Sequence, residues 1–150
     1  MPSLDNMMLR QIIMDHYENP RNHELVEDDS YKKVNMDSET CIDNIDIQAK
    51  IEDGVIKDIR FDGEACAICT SSTSIMTELL IGKTIDEARV IIENYMNMIF
   101  EKDYDPEILE EAIAFYNTHK QANRIKCATL GWKGITQLID ESEKEDTHGK

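Results

Sequence analysis

Asn44-Ile45-Asp46-Ile47-Gln48-Ala49-Lys50-Ile51-Glu52-Asp53-Gly54-Val55-Ile56-Lys57-Asp58-Ile59-Arg60-Phe61-Asp62-Gly63 is the stretch on which the fold turns. Ile45, Ile47, Ala49 and Ile51 alternate with polar residues, the period-2 pattern of a strand with one buried face. Asp53-Gly54 supplies the positive φ angles that a tight type I′ turn needs, and Val55, Ile59 and Phe61 resume the alternation. A β-hairpin is therefore expected here.

Upstream, Leu4, Met8 and Ile12 fall on one stripe with Leu9 and Ile13 beside it, so residues 4 to about 18 read as a helix. Asn19-Pro20-Arg21-Asn22 ends it, because a proline disfavours helical geometry in the residue before it. Residues 23–40 are polar and acidic, a loop with one short strand expected near Tyr31 to Met36. Downstream of Gly63 the period becomes helical. Ser72, Ile75, Met76, Leu79 and Leu80 form one stripe closed by Gly82. Thr84 and Glu87 make a capping box for a helix carrying Ile85, Ala88, Ile91, Ile92, Tyr95 and Ile99. Asp105-Pro106 caps a third segment with Ile108, Leu109, Ala112 and Ile113.

A last helix, expected to start near Cys127, carries Leu130, Ile135, Leu138 and Ile139. Glu141 to Lys150 is rich in charge and reads as a disordered tail. Strands come early and helices late, which predicts an α+β domain: a small three-stranded antiparallel sheet with helices packed on one face. A single domain over 1–140 with a tail over 141–150 is the expected organisation.

The net charge is −15, from 31 acidic and 16 basic residues among 150. A nucleic-acid partner needs a basic stripe to displace counterions, and none is visible; an anionic membrane surface is disfavoured for the same reason. No apolar run approaches the roughly 20 residues of a membrane span, and Met1-Pro2-Ser3-Leu4-Asp5-Asn6 lacks the basic start of a signal peptide. A cytoplasmic location follows as the expectation. Thiols there stay reduced, so four cysteines argue for metal binding or catalysis over disulfides.

Cys41 and Asp43 lie in the loop entering the hairpin, and Cys66 lies in the loop leaving it. The two ends of a hairpin are spatial neighbours, so the three converge. Cys127, at the expected start of another helix, can project to the same point. Three thiols and one carboxylate suit a tetrahedral zinc, and a helix N-terminus at Cys66 and Cys127 would lower both thiol pKa values. The competing reading is that these thiols are simply small buried apolar residues. Cys66 and Cys69 form a C-x-x-C without a second pair; Cys69 reads either as a buried residue on the inner face of a helix or as a fifth donor. His16, His23, His119 and His148 read as surface histidines.

Four segments carry a family resemblance: Ile12-Ile13-Met14-Asp15-His16-Tyr17-Glu18-Asn19-Pro20-Arg21-Asn22; Cys41-Ile42-Asp43; Gly63-Glu64-Ala65-Cys66-Ala67-Ile68; and Arg124-Ile125-Lys126-Cys127-Ala128-Thr129-Leu130-Gly131-Trp132. On these the chain resembles the SufU branch of the IscU/NifU N-terminal scaffold family, with its SufE/NifU-like fold. Lys126 stands where IscU-like chains carry a histidine, and residues from about 97 to 123 look like the insertion of SufU-like chains.

The resemblance implies Zn2+ held by Cys41, Asp43, Cys66 and Cys127, with Cys41 accepting persulfide sulfur from a SufS-type cysteine desulfurase. In the family's proposed mechanism a desulfurase histidine replaces Cys41 on the zinc and frees the thiolate, and Arg124 supports that thiolate or the partner. Downstream cluster scaffold proteins are the implied acceptors. A scaffold holding a transient [2Fe–2S] cluster on the same residues is the alternative. Ile42, in place of the family's glycine, removes a flexible backbone position beside the site. Cys69, in place of its serine, adds the expectation that mild peroxide converts Cys66 and Cys69 to a disulfide.

Overall fold

The computed structural model describes residues 6–38 and 42–148 of the chain. Helix α1 (Asn6–Glu18) is followed by strands β1 (Lys32–Asp37), β2 (Asn44–Glu52) and β3 (Val55–Glu64). Helices α2 (Ala67–Leu80) and α3 (Ile85–Ile99), two 3-10 segments (Pro106–Phe115 and Thr118–Lys120) and helix α4 (Ala122–His148) complete the chain. The sheet order is β1-β2-β3, with both neighbouring pairs antiparallel. The α+β architecture with a three-stranded antiparallel sheet is as the sequence predicts.

The hairpin forms where expected. Asp53 and Gly54 have φ of 54° and 72°, both positive as a type I′ turn requires. Ile45, Ile47, Ala49, Ile56, Ile59 and Phe61 are buried in one core. The pairing runs to the far end of the hairpin, where Ile45 faces Gly63 and Asn44 faces Glu64. Gly63 sits at φ 134°, and a Cβ there would fall 2.3 Å from the Asn44 carbonyl oxygen. Only glycine lets the two strand ends close to this degree.

Helix α2 runs through the middle of the molecule. Cys69 through Thr77, Leu79 and Leu80 are all buried, so its burial encircles the helix instead of following one stripe. The Thr70-Ser71-Ser72-Thr73-Ser74 run is polar, and apart from Thr73 Oγ1, which is buried without a hydrogen-bond partner, its hydroxyls find partners inside. Ser71 Oγ donates to the Ala67 carbonyl at 2.7 Å, and Ser72 and Ser74 tie α2 to its neighbours. Ser72 Oγ and Tyr95 OH both donate to the Ala128 carbonyl, at 2.6 and 2.7 Å. Trp132 Nε1 donates to Ser72 Oγ at 3.1 Å, and its ring stacks on Tyr95 with centroids 3.8 Å apart. This network locks α2, α3 and α4 together. Gly131 makes the contact close: a Cβ there would lie 2.4 Å from Thr73 Oγ1.

Two expectations at the C-terminal end need correction. Helix α4 begins at Ala122, upstream of Cys127; residues 122–126 are mostly polar and exposed, so apolar periodicity carries no sign of them. Residues 141–148 continue α4 instead of forming a disordered tail. Distant cations hold that extension: Arg89 bonds to Asp140 at 2.9 Å and to Glu143, and Lys32 Nζ lies 2.9 Å from Glu145 Oε1. Among the described residues, no helix is long and apolar enough to cross a membrane.

Candidate metal centre

Asp43, Cys66 and Cys127 converge. One carboxylate oxygen and two sulfurs lie within 4.8 Å of one another. The strand register explains the first half of this. Asn44 pairs with Glu64, so the residues just beyond, Asp43 and Cys66, leave the sheet side by side. The second half comes from the α2–α4 contact, since Ala128 and Gly131 press α4 against α2 and carry Cys127 with them.

Asp43 is fully buried, at 0% exposure. Its Oδ1 accepts the Cys66 backbone N–H at 2.7 Å, and Cys66 Sγ lies 3.7 Å from Oδ2. Cys66 is the N-cap of α2, its sulfur accepting the Cys69 N–H at 3.4 Å, so the expected helix-start position holds for this thiol. Cys127 differs. It lies inside the second turn of α4, and burial, with the Asp43 carboxyl and the Cys66 thiol beside it, pushes its pKa well up. The expected depression at a helix N-terminus is thus reversed for Cys127.

A buried carboxylate facing two thiols is costly unless a cation or protons balance it. The donor set therefore fits a divalent metal that accepts sulfur and oxygen together, as zinc does. Cys41, the remaining expected ligand, lies outside the described residues. Of the described residues around it, Ser38 N–H donates to the Asp43 carbonyl at 2.8 Å, and Ile42 is 67% exposed beside the buried Asp43.

Cys66, Cys69 and Cys127 are thiols. Cys69 is fully buried in the core, on the inner face of α2. Arg124 is exposed on the first turn of α4, and Lys126 is exposed immediately before Cys127.

His16 is not the surface residue the sequence suggests. It is fully buried, with Nδ1 hydrogen-bonded to Ser74 Oγ at 2.8 Å. The signal for this was present: Leu9, Ile12, Ile13 and His16 follow the i, i+3, i+4, i+7 spacing of an inner helix face. Gly131 was likewise legible as a packing site, since a glycine inside a helix costs about 1 kcal/mol relative to alanine. The side chain of His148 lies outside the described residues.

Residues 8–146 match the family model of the NifU-like N terminal domain, and the chain belongs to that family. Among curated relatives, it is 37% identical over 137 residues to the zinc-dependent sulfurtransferase SufU of Bacillus subtilis (strain 168), covering 91% of this chain and 92% of that one. It is 31% identical over 138 residues to the iron-sulfur cluster assembly scaffold protein IscU of Streptococcus pyogenes serotype M1, covering 91% and 86%. Among solved structures, one from Fervidobacterium islandicum AW-1 is provisionally described as an iron-sulfur cluster assembly scaffold protein for the SUF system. It superposes with a TM-score of 0.79 at 30% identity, covering 86% of this chain and 94% of that one.

Proposed function

We propose that this chain, as a member of the NifU-like N-terminal domain family, is a zinc-dependent sulfurtransferase of cytoplasmic iron–sulfur cluster assembly. The observation that carries the reading is the Asp43–Cys66–Cys127 cluster, which offers two sulfurs and one oxygen to a metal and has Cys41 two positions before Asp43. The similarity to SufU supports it over most of both chains. Zinc, when bound, holds its thiol ligands deprotonated without redox chemistry of its own.

The chain's residues divide the work. Asp43, Cys66 and Cys127 are the holding residues, fixed by the strand register and by the α2–α4 contact. Cys41 is the acceptor. Its thiolate attacks the terminal sulfur of a persulfide on a cysteine desulfurase; a new S–S bond forms on Cys41, the donor S–S bond breaks, and the donor leaves as a thiolate. Arg124, exposed three residues before Cys127, would support the Cys41 thiolate or the donor. Sulfur then passes to a downstream cluster scaffold protein.

The similarity to an IscU scaffold protein favours a second reading, in which the same cysteines hold a nascent [2Fe–2S] cluster. The test pairs the zinc-loaded chain with a SufS-type desulfurase and cysteine. The transferase reading expects wild type to stimulate sulfur turnover and Cys41→Ala to abolish the stimulation. Equal stimulation by Cys41→Ala contradicts it. A stable [2Fe–2S] absorption after anaerobic supply of ferrous iron and sulfide is the outcome that the scaffold reading expects.

A further inference from the structure

A second cluster of ligating side chains sits near the other end of α2. His16 from α1, Glu78 from α2 and Glu111 from the Pro106–Phe115 segment bring one ring nitrogen and two carboxylate oxygens within 4.8 Å of one another. His16 Nε2 lies 3.3 Å from Glu111 Oε1 and 3.7 Å from Glu78 Oε1. The histidine is fully buried, whereas the two glutamates are 45% and 49% exposed, so the imidazole forms the floor of the cluster and the carboxylates its rim.

We propose that His16, Glu78 and Glu111 form a second cation site that takes a first-row divalent ion, of the Mn2+, Fe2+ or Zn2+ kind. Four observations converge on it. The first is orientation. A metal-binding imidazole typically has its other ring nitrogen tied to an oxygen, and His16 Nδ1 is tied to Ser74 Oγ, which is itself fixed by the Arg21 backbone N–H at 2.9 Å. The second is the donor set. One imidazole nitrogen with two carboxylates suits first-row ions better than the all-oxygen shells of Ca2+ and Mg2+.

The third is space. A cavity of about 220 Å3 opens at the cluster, lined by Ile75, Glu78, Leu79, Glu110 and Glu111, with room for waters to complete the coordination shell. The fourth is charge. The cation already nearby is Arg21, whose Nε lies 3.7 Å from Glu78 Oε1, but its short bond, 2.6 Å, goes to Asp15 Oδ2. Glu110 adds a third carboxylate to the wall. An ion bound here joins α1, α2 and the Pro106–Phe115 segment, three elements far apart in sequence.

The test uses the full chain with its thiolate centre first saturated with zinc. Mn2+, which disfavours thiolate ligands, is then titrated in, and the free ion is followed by its electron paramagnetic resonance signal. The proposal expects one Mn2+ bound per chain. Glu78→Gln and Glu111→Gln should each weaken it by about tenfold or more, while Glu93→Gln, an exposed carboxylate change elsewhere on α3, should leave it intact. His16 stays in place, because replacing so buried a residue risks the fold.

A second readout separates a built site from binding by the acidic surface. Electron spin echo modulation of the bound ion must show imidazole nitrogen. Coordination by oxygen alone overturns the proposal, as does Mn2+ that stays free or binds the two glutamine variants as tightly as wild type.

Discussion

Helix α2 carries a cluster of ligating groups near each end, and the two are built oppositely. At its start, Asp43, Cys66 and Cys127 form a soft, sulfur-rich set with the carboxylate fully buried. Twelve residues along, on the order of 18 Å by helix rise, His16, Glu78 and Glu111 form a harder set whose nitrogen is buried and whose carboxylates face water. The first is assembled by the sheet register and a tight α2–α4 contact; the second by α1 and a 3-10 segment. Burial is distributed differently at the two ends: the carboxylate is the most deeply buried donor at the first and the exposed one at the second.

Trp132→Ala should break this contrast most severely. Removing a fully buried indole that stacks on Tyr95 and donates to Ser72 should cost about 3–5 kcal/mol in denaturant unfolding. It should also loosen the proposed zinc centre, because Cys127 is held through the same α2–α4 packing.

A matched pair of smaller changes then separates the ends. Gly131→Ala forces a methyl against Thr73 and should cost about 1–3 kcal/mol. Read by competitive chelation, it should weaken zinc without deleting a ligand and leave Mn2+ binding alone. Ser74→Ala should do the reverse. It strips the partner of His16 Nδ1 and of the Arg21 N–H, costing about 1–3 kcal/mol, and should weaken Mn2+ while sparing zinc.

The smallest effect is a pH dependence at the Cys127 end. In the metal-free protein burial raises the Cys127 pKa above that of the unfolded chain, so the folded state keeps a proton that the unfolded state gives up. Metal-free stability should therefore fall as pH rises past the ordinary thiol range, and a Cys127→Ser variant should lack that slope.

The two clusters also differ in how far the sequence discloses them. The thiol end was legible because cysteines are few and Asp53-Gly54 fixes the hairpin, which in turn places Asp43 beside Cys66. The histidine end was not. Glu78 and Glu111 are two of many surface acids, and Glu111 follows a kink at Glu110, where φ is 46°, so no helical period locates it. His16 was readable from its place on the inner stripe of α1, yet its partners come from elements that only folding brings near.

The same limit explains α4. Its polar first turns carry no apolar period, and the cations that pin its last turns, Arg89 and Lys32, are remote in sequence. These displaced boundaries changed the environment of Cys127 from a helix start to a buried helix interior. They left intact the convergence of Asp43, Cys66 and Cys127.

The most direct test of the thiol end is zinc X-ray absorption on the protein as purified, without added metal. The account predicts one zinc per chain with three sulfur neighbours at about 2.3 Å and one oxygen at about 2.0–2.2 Å, and loss of one sulfur neighbour in Cys41→Ser. Four sulfur neighbours would put Cys69 in the place of Asp43, two would remove Cys41 from the site, and either result contradicts the assignment.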